Sequence, residues 1–135
     1  MASTPTYFLL TCTLCLVAIA QAMVQNCYGV DEFPRHGDVA QETQYAGAED
    51  CLEYLGVMAP GINQVTWTHE AKGTLYHYVI SWVEDCEGEP QDVVEPFEGT
   101  MCVDLLQNNW KDCINGGAGG WVDVGCVRYE FKPAE

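Results

Sequence analysis

The sequence predicts a disulfide-stapled α+β domain with helices packed on an antiparallel sheet. Three observations lead there. Helical and strand periodicities alternate along the chain, a glycine-ended turn separates two strand-like runs, and six cysteines are spread over a short segment.

The amino end comes first because it sets which residues build that domain. Residues 7–20 (YFLLTCTLCLVAIA) carry no charge and are followed by Ala20-Gln21-Ala22. A short apolar run before a small-x-small site reads as a signal peptide, here residues 1–22. The run is shorter than the roughly 20 apolar residues of a spanning helix. Cleavage would leave residues 23–135 as a single secreted domain, and it would remove Cys12 and Cys15 with their C-x-x-C spacing. Cys27, Cys51, Cys86, Cys102, Cys113 and Cys126 remain, an even number without the close pairs that zinc sites usually show. Three disulfides are expected, and six cysteines allow fifteen pairings.

Along this domain, residues 25–37 read as irregular chain pinned by Cys27. A first helix is expected within 39–58, with Tyr45, Ala48, Cys51, Leu52 and Leu55 at helical spacing and Gly56 and Pro60-Gly61 ending it. Val65 and Trp67 alternate with threonines as a strand, and residues 74–83 form a second. Residues 70–73 suit a hairpin turn, with Gly73 at positive φ. On the second strand Leu75, His77, Val79, Ser81 and Val83 would line one face, and Tyr76, Tyr78, Ile80 and Trp82 the other. Both faces are largely apolar, which predicts cover on both sides.

Residues 84–98 form an acidic loop in which seven of fifteen positions are Asp or Glu; its spacing is not that of a calcium loop. A second helix should start near 97–100 and reach Trp110. If it ran on to Cys113, Cys102 would stand about 16 Å from Cys113, too far for a mutual disulfide. A glycine loop over 116–120 precedes one alternating strand over 121–131. The resulting order is α-β-β-α-β.

The chain carries 5 Lys and Arg against 20 Asp and Glu, a formal charge of −15. That balance repels phosphate backbones and anionic membranes, so nucleic acid and membrane insertion are not expected. The opening Gln25-Asn26-Cys27-Tyr28, the aromatic strand before Cys86 and the closing WKDCINGGAGGWVDVGC of residues 110–126 together resemble the small secreted, cysteine-rich glycan-binding proteins of mushroom-forming fungi. The resemblance implies a compact α/β/α sandwich and a lectin without metal, cofactor or enzymatic activity. It further implies ligands among fucosylated, N-acetylgalactosamine-containing N-glycan ends. The leading expectation is thus a secreted lectin with defensive or cytotoxic effect.

Sugars are held by aromatic faces under their C–H surfaces and by planar polar groups on their hydroxyls. Trp121, after the glycine loop, is the favoured platform, with Asp123 on its face and Asn115 at the other end of the loop. Tyr78, Trp67 and His77 complete the expected glycan-binding set. Each has an ordinary alternative: core packing for the aromatics, a partner for Arg128 in the case of Asp123, and a tight connection for the loop, which lacks the Lys-Ser/Thr of a phosphate cradle. Two rival functions stay open. One is an effector-like module that binds another protein. The other is a small ribonuclease using His77, Glu70 and Arg128, with His69 nearby, as base, acid and cation. Glycans or glycoproteins are the expected partners, and a homodimer is compatible with them.

Overall fold

The computed structural model describes residues 23–33, 36–37, 41–71 and 73–134. The leader expected over 1–22 lies outside the described residues. The elements run β1 (Gln25–Cys27), α1 (Gln41–Glu49) with a 3-10 turn (Asp50–Glu53), β2 (Val57–Met58), β3 (Val65–Ala71), β4 (Thr74–Trp82), β5 (Gln91–Asp92), α2 (Cys102–Lys111), β6 (Gly120–Val124) and β7 (Val127–Pro133). The main sheet is antiparallel throughout, in the order β1-β6-β7-β4-β3, and β2 pairs with β5 in a separate ribbon. The α+β class and the β3–β4 hairpin follow the sequence; the element order does not. Three strands are added (β1, β2 and β5), and the closing strand is two strands.

That last difference reorders the faces. Gly125 takes φ +59° at the first of two turn residues, so β6 folds back on β7. This is glycine's place in a II′-type hairpin turn. Trp121 then stands opposite Glu130, and Asp123 opposite Arg128. One continuous strand would have put these partners on opposite faces. The hairpin puts them on the same face, with Val122, Val124, Val127, Tyr129 and Phe131 buried on the other.

The core lies between that buried face and the two helices. On β4 it takes Tyr76, Tyr78 and Ile80. Rings cross the sheet in sequence: Tyr54 stacks on Trp67, Trp67 on Tyr78 within 7° of parallel, and Phe131 touches both Tyr78 and Tyr76. Helix α2 presents Cys102, Leu105, Leu106 and Asn109, an i, i+3, i+4, i+7 stripe. Asn109 is buried because both ends of its amide are used. Its Nδ2 donates to the Tyr129 carbonyl at 2.9 Å, and its Oδ1 accepts from Gln25 Nε2 at 2.7 Å. Helix α1 is shorter than expected. Gln44 and Ala48 face the core, whereas Leu52 and Leu55 are exposed, the latter at 86%. The regular helix stops at Glu49, and its apolar stripe ends at Cys51.

Both helices pack on this one face. Helix α1 meets α2 and β3, and α2 meets β6, β7 and β1. Among the described residues no helix covers the opposite face. The arrangement is therefore two layers, helices on sheet, and the expected α/β/α sandwich is corrected, as is cover on both sides of β4. Leu75 is exposed and His77 and Ser81 are only half-buried.

Three disulfides form: Cys27–Cys113 joins β1 to the end of α2, Cys51–Cys102 ties the 3-10 turn to α2, and Cys86–Cys126 ties the loop after β4 to the β6–β7 turn. Helix α2 ends at Lys111, short of the unbroken run to Cys113 considered from the sequence, and Cys102 and Cys113 do not pair with each other. The first bridge explains one glycine of the loop. A Cβ on Gly120 would stand 2.7 Å from Cys113 Sγ and would also collide with the Asn26 carbonyl. Only glycine lets β1 and the disulfide close on β6 at this point.

Candidate functional site

The helix-free face is built by the strand registers. One row across it reads Asn26, Trp121, Glu130, Val79, Thr66 from β1 to β3. The row on one side carries Lys132, His77 and Thr68; that on the other carries Asp123, Arg128 and Ser81. Such a face collects polar side chains because β7 alternates strictly, with Arg128, Glu130 and Lys132 between apolar residues.

Its polar groups hold one another in place. Arg128 grips Asp123 with two bonds, Nε to Oδ1 at 2.7 Å and Nη2 to Oδ2 at 2.9 Å. These hydrogen bonds raise the guanidinium pKa further. The same guanidinium lies 5.2 Å from the Trp121 ring centroid, and Tyr28 packs against Trp121 at 4.9 Å. Glu130 is 8% exposed, and both carboxylate oxygens are occupied. Tyr28 Oη donates to Oε2 at 2.7 Å, and Lys132 Nζ lies 2.8 Å from Oε1. Burial and then the Glu130 hydrogen bond push the Tyr28 phenol above its ordinary pKa, because both disfavour the phenolate.

Beside this cluster a cleft of about 270 Å³ opens over β3, β4 and β7. Its lining includes the hydroxyls of Thr66, Thr68 and Ser81, the Gln64 amide, His77, Glu130 and Lys132. By strand spacing and rise, Trp121 stands about 12 Å from His77 across the same surface. A larger groove of about 590 Å³ follows the acidic loop past Glu87, Glu89 and Phe97 to the Cys86–Cys126 bridge.

Of the six residues expected to contact glycans, the structure puts Trp121, Asp123 and His77 on this face, Trp121 and Asp123 together and His77 on the cleft. The other three build the fold. Tyr78 is 1% exposed inside the ring stack. Trp67 borders the cleft, but its indole turns to the helix side, sandwiched by Tyr54 and Tyr78, with Nε1 donating to the Gly47 carbonyl at 2.7 Å. Asn115 is buried and ties the glycine loop shut by donating to the carbonyls of Tyr28 and Gly119. The loop itself is a tight connection, with Ala118, Gly119 and Gly120 buried.

The ribonuclease set is only partly assembled. Glu70 follows Thr68 along β3, so it shares the face of His77, to which Thr68 stands opposite. Arg128 stands opposite Ser81, four residues along β4, and is committed to Asp123. His69 pairs with Tyr76 on the other face. Sequence reasoning missed Tyr28, Glu130 and Lys132. The alternation of β7 signals the last two, once the turn at Gly125 is recognised; Tyr28 has no local signal, since it reaches Glu130 only through the β1–β6 pairing.

Among the described residues no group of three or more His, Cys, Asp or Glu is placed to hold a metal ion, and no helix is long and apolar enough to cross a membrane. Comparison of the chain with family models, with curated proteins and with solved structures gave no match.

Proposed function

We propose that this protein is a secreted lectin that reads glycans on the helix-free face of its sheet. The observation that carries the reading is the surface joining the Tyr28–Trp121 pair to the hydroxyl- and amide-lined cleft at His77. Sugar recognition needs aromatic surface beside fixed planar polar groups, and here Asp123, Arg128 and Glu130 each have a partner that fixes them. The span from Trp121 to His77 suits several linked sugars rather than a single ring. The same pairing favours binding over catalysis, since Arg128, the cation a phosphodiesterase built on His77 and Glu70 would need free, is engaged by Asp123. Three disulfides fit an oxidising compartment, and glycans face the outside of cells.

The resemblance to fungal glycan-binding proteins narrows the ligand class to fucosylated, N-acetylgalactosamine-containing N-glycan ends and suggests a defensive or cytotoxic effect. A glycan array that includes matched fucosylated and defucosylated structures tests this. Trp121→Ala and His77→Ala should each weaken binding roughly tenfold or more with unchanged circular dichroism. Absence of binding to every glycan would refute the lectin reading; RNA cleavage lost in His77→Ala would replace it with the nuclease.

A further inference from the structure

The main sheet ends on two unlike edges. On one side β1 contributes three residues; on the other β3 contributes seven, Val65–Ala71, with β4 as its partner on one side only. Within β3 there is no proline, glycine or lysine, and its single charge is Glu70. A long regular edge without such residues is a template for another strand, and natural sheets commonly block it. Among the described residues no backbone hydrogen bond reaches β3 from outside the β3–β4 ladder.

We propose that β3 pairs antiparallel with β3 of a second copy of this chain, about a two-fold axis through Thr68, to form a continuous ten-stranded sheet. The sequence of the edge is complementary to itself in that register. Thr68 meets its own copy, Trp67 meets His69, Thr66 meets Glu70 and Val65 meets Ala71. Opposed residues of an antiparallel pair share a face, so Trp67 and His69 extend the helix-side layer while the threonines extend the open face. No acid faces an acid, because Glu70 falls opposite Thr66. That matters in a chain of charge −15, whose copies repel one another at long range. A two-fold contact of this kind closes at two copies and covers the β3 edge of each, leaving only the short β1 edges at the ends. It would set two of the His77 clefts on one surface, though the pairing does not depend on their binding sugars.

Sedimentation velocity on the disulfide-intact protein, from roughly 1 µM to 1 mM, tests the pairing. The wild type should pass from monomer to dimer with concentration, and added salt should favour the dimer by screening the net charge. Thr68 is exposed, so charges there are tolerated by the monomer. Thr68→Glu and Thr68→Lys should each weaken self-association roughly tenfold or more, because like charges then oppose across the axis, and an equimolar mixture of the two should dimerise again. Hydrogen exchange on the wild type supplies a readout without variants: the outward amides of β3 should gain protection as concentration rises. A protein monomeric throughout overturns the proposal. So do dimers indifferent to both substitutions, or β3 amides whose protection does not change with concentration.

Discussion

Replacing Gly47 by alanine tests the packing of the helix layer, because a rule of helix propensity and the structure predict opposite signs. Gly47 lies inside α1, where alanine is favoured over glycine by about 1 kcal/mol. The structure places the Tyr78 ring directly over it. A Cβ there would stand 2.7 Å from Tyr78 Cζ and 2.9 Å from Cε2, against roughly 3.5–4.0 Å for relaxed carbon contacts. Tyr78 has nowhere to retreat, with Trp67 stacked at 5.3 Å between centroids and Phe131 at 5.2 Å. The helix must move instead, and that stretches the Trp67 Nε1 bond to the Gly47 carbonyl and the Gln44 Nε2 bond to the Leu106 carbonyl. Overpacking costs about 1–3 kcal/mol, and each weakened hydrogen bond up to about 1 kcal/mol more. After the propensity gain, Gly47→Ala should lose about 1–3 kcal/mol, seen in denaturant unfolding and as a Tm lower by roughly 4–12 °C. Ala46→Gly, at the exposed neighbouring position, is the control and should lose about 1 kcal/mol by propensity alone. An unchanged or raised Tm for Gly47→Ala would refute the close approach of α1 to the sheet.

Further outcomes follow from the same geometry. Burial raises the phenol pKa of Tyr78 and Tyr129, so in alkali the unfolded chain loses these protons first, near pH 10, while the folded chain keeps them. Their contribution is intact below about pH 10 and declines above it by up to about 1.4 kcal/mol per pH unit for each tyrosine, until the folded phenols ionise. Unfolding followed beside phenolate absorbance should show both events together. Replacing Cys27 and Cys113 by serine opens a connection spanning 86 residues and should lower stability by about 4 kcal/mol, measured by denaturant titration.

The β3–β4 hairpin and the stripe of α2 were legible in sequence because each rests on local periodicity. The open face was not, because it depends on one turn. Read as a single strand, residues 121–131 separate Trp121 and Asp123 from Arg128 and Glu130; folded at Gly125, they bring the four together. Burial of polar residues was equally illegible. Gln44, Asn109 and Asn115 are inside because distant carbonyls receive their amides, at Leu106, Tyr129 and Tyr28. Trp67 and Tyr78 have the composition of a sugar platform, but they lie in the ring stack on the helix side, Tyr78 buried and Trp67 half-buried.

By itself, then, the sequence determined the α+β class, the two helices and the central hairpin, and it limited the six cysteines to fifteen pairings without choosing among them. Those are consequences of spacing along the chain. The tertiary structure alone decided which cysteines meet, that both helices share one side, and that Tyr28, Trp121, Asp123, Arg128, Glu130 and His77 share the other. Those are consequences of strand order and register, which bring residues as far apart as Tyr28 and Glu130 into hydrogen-bond contact and leave no trace in the local pattern of either.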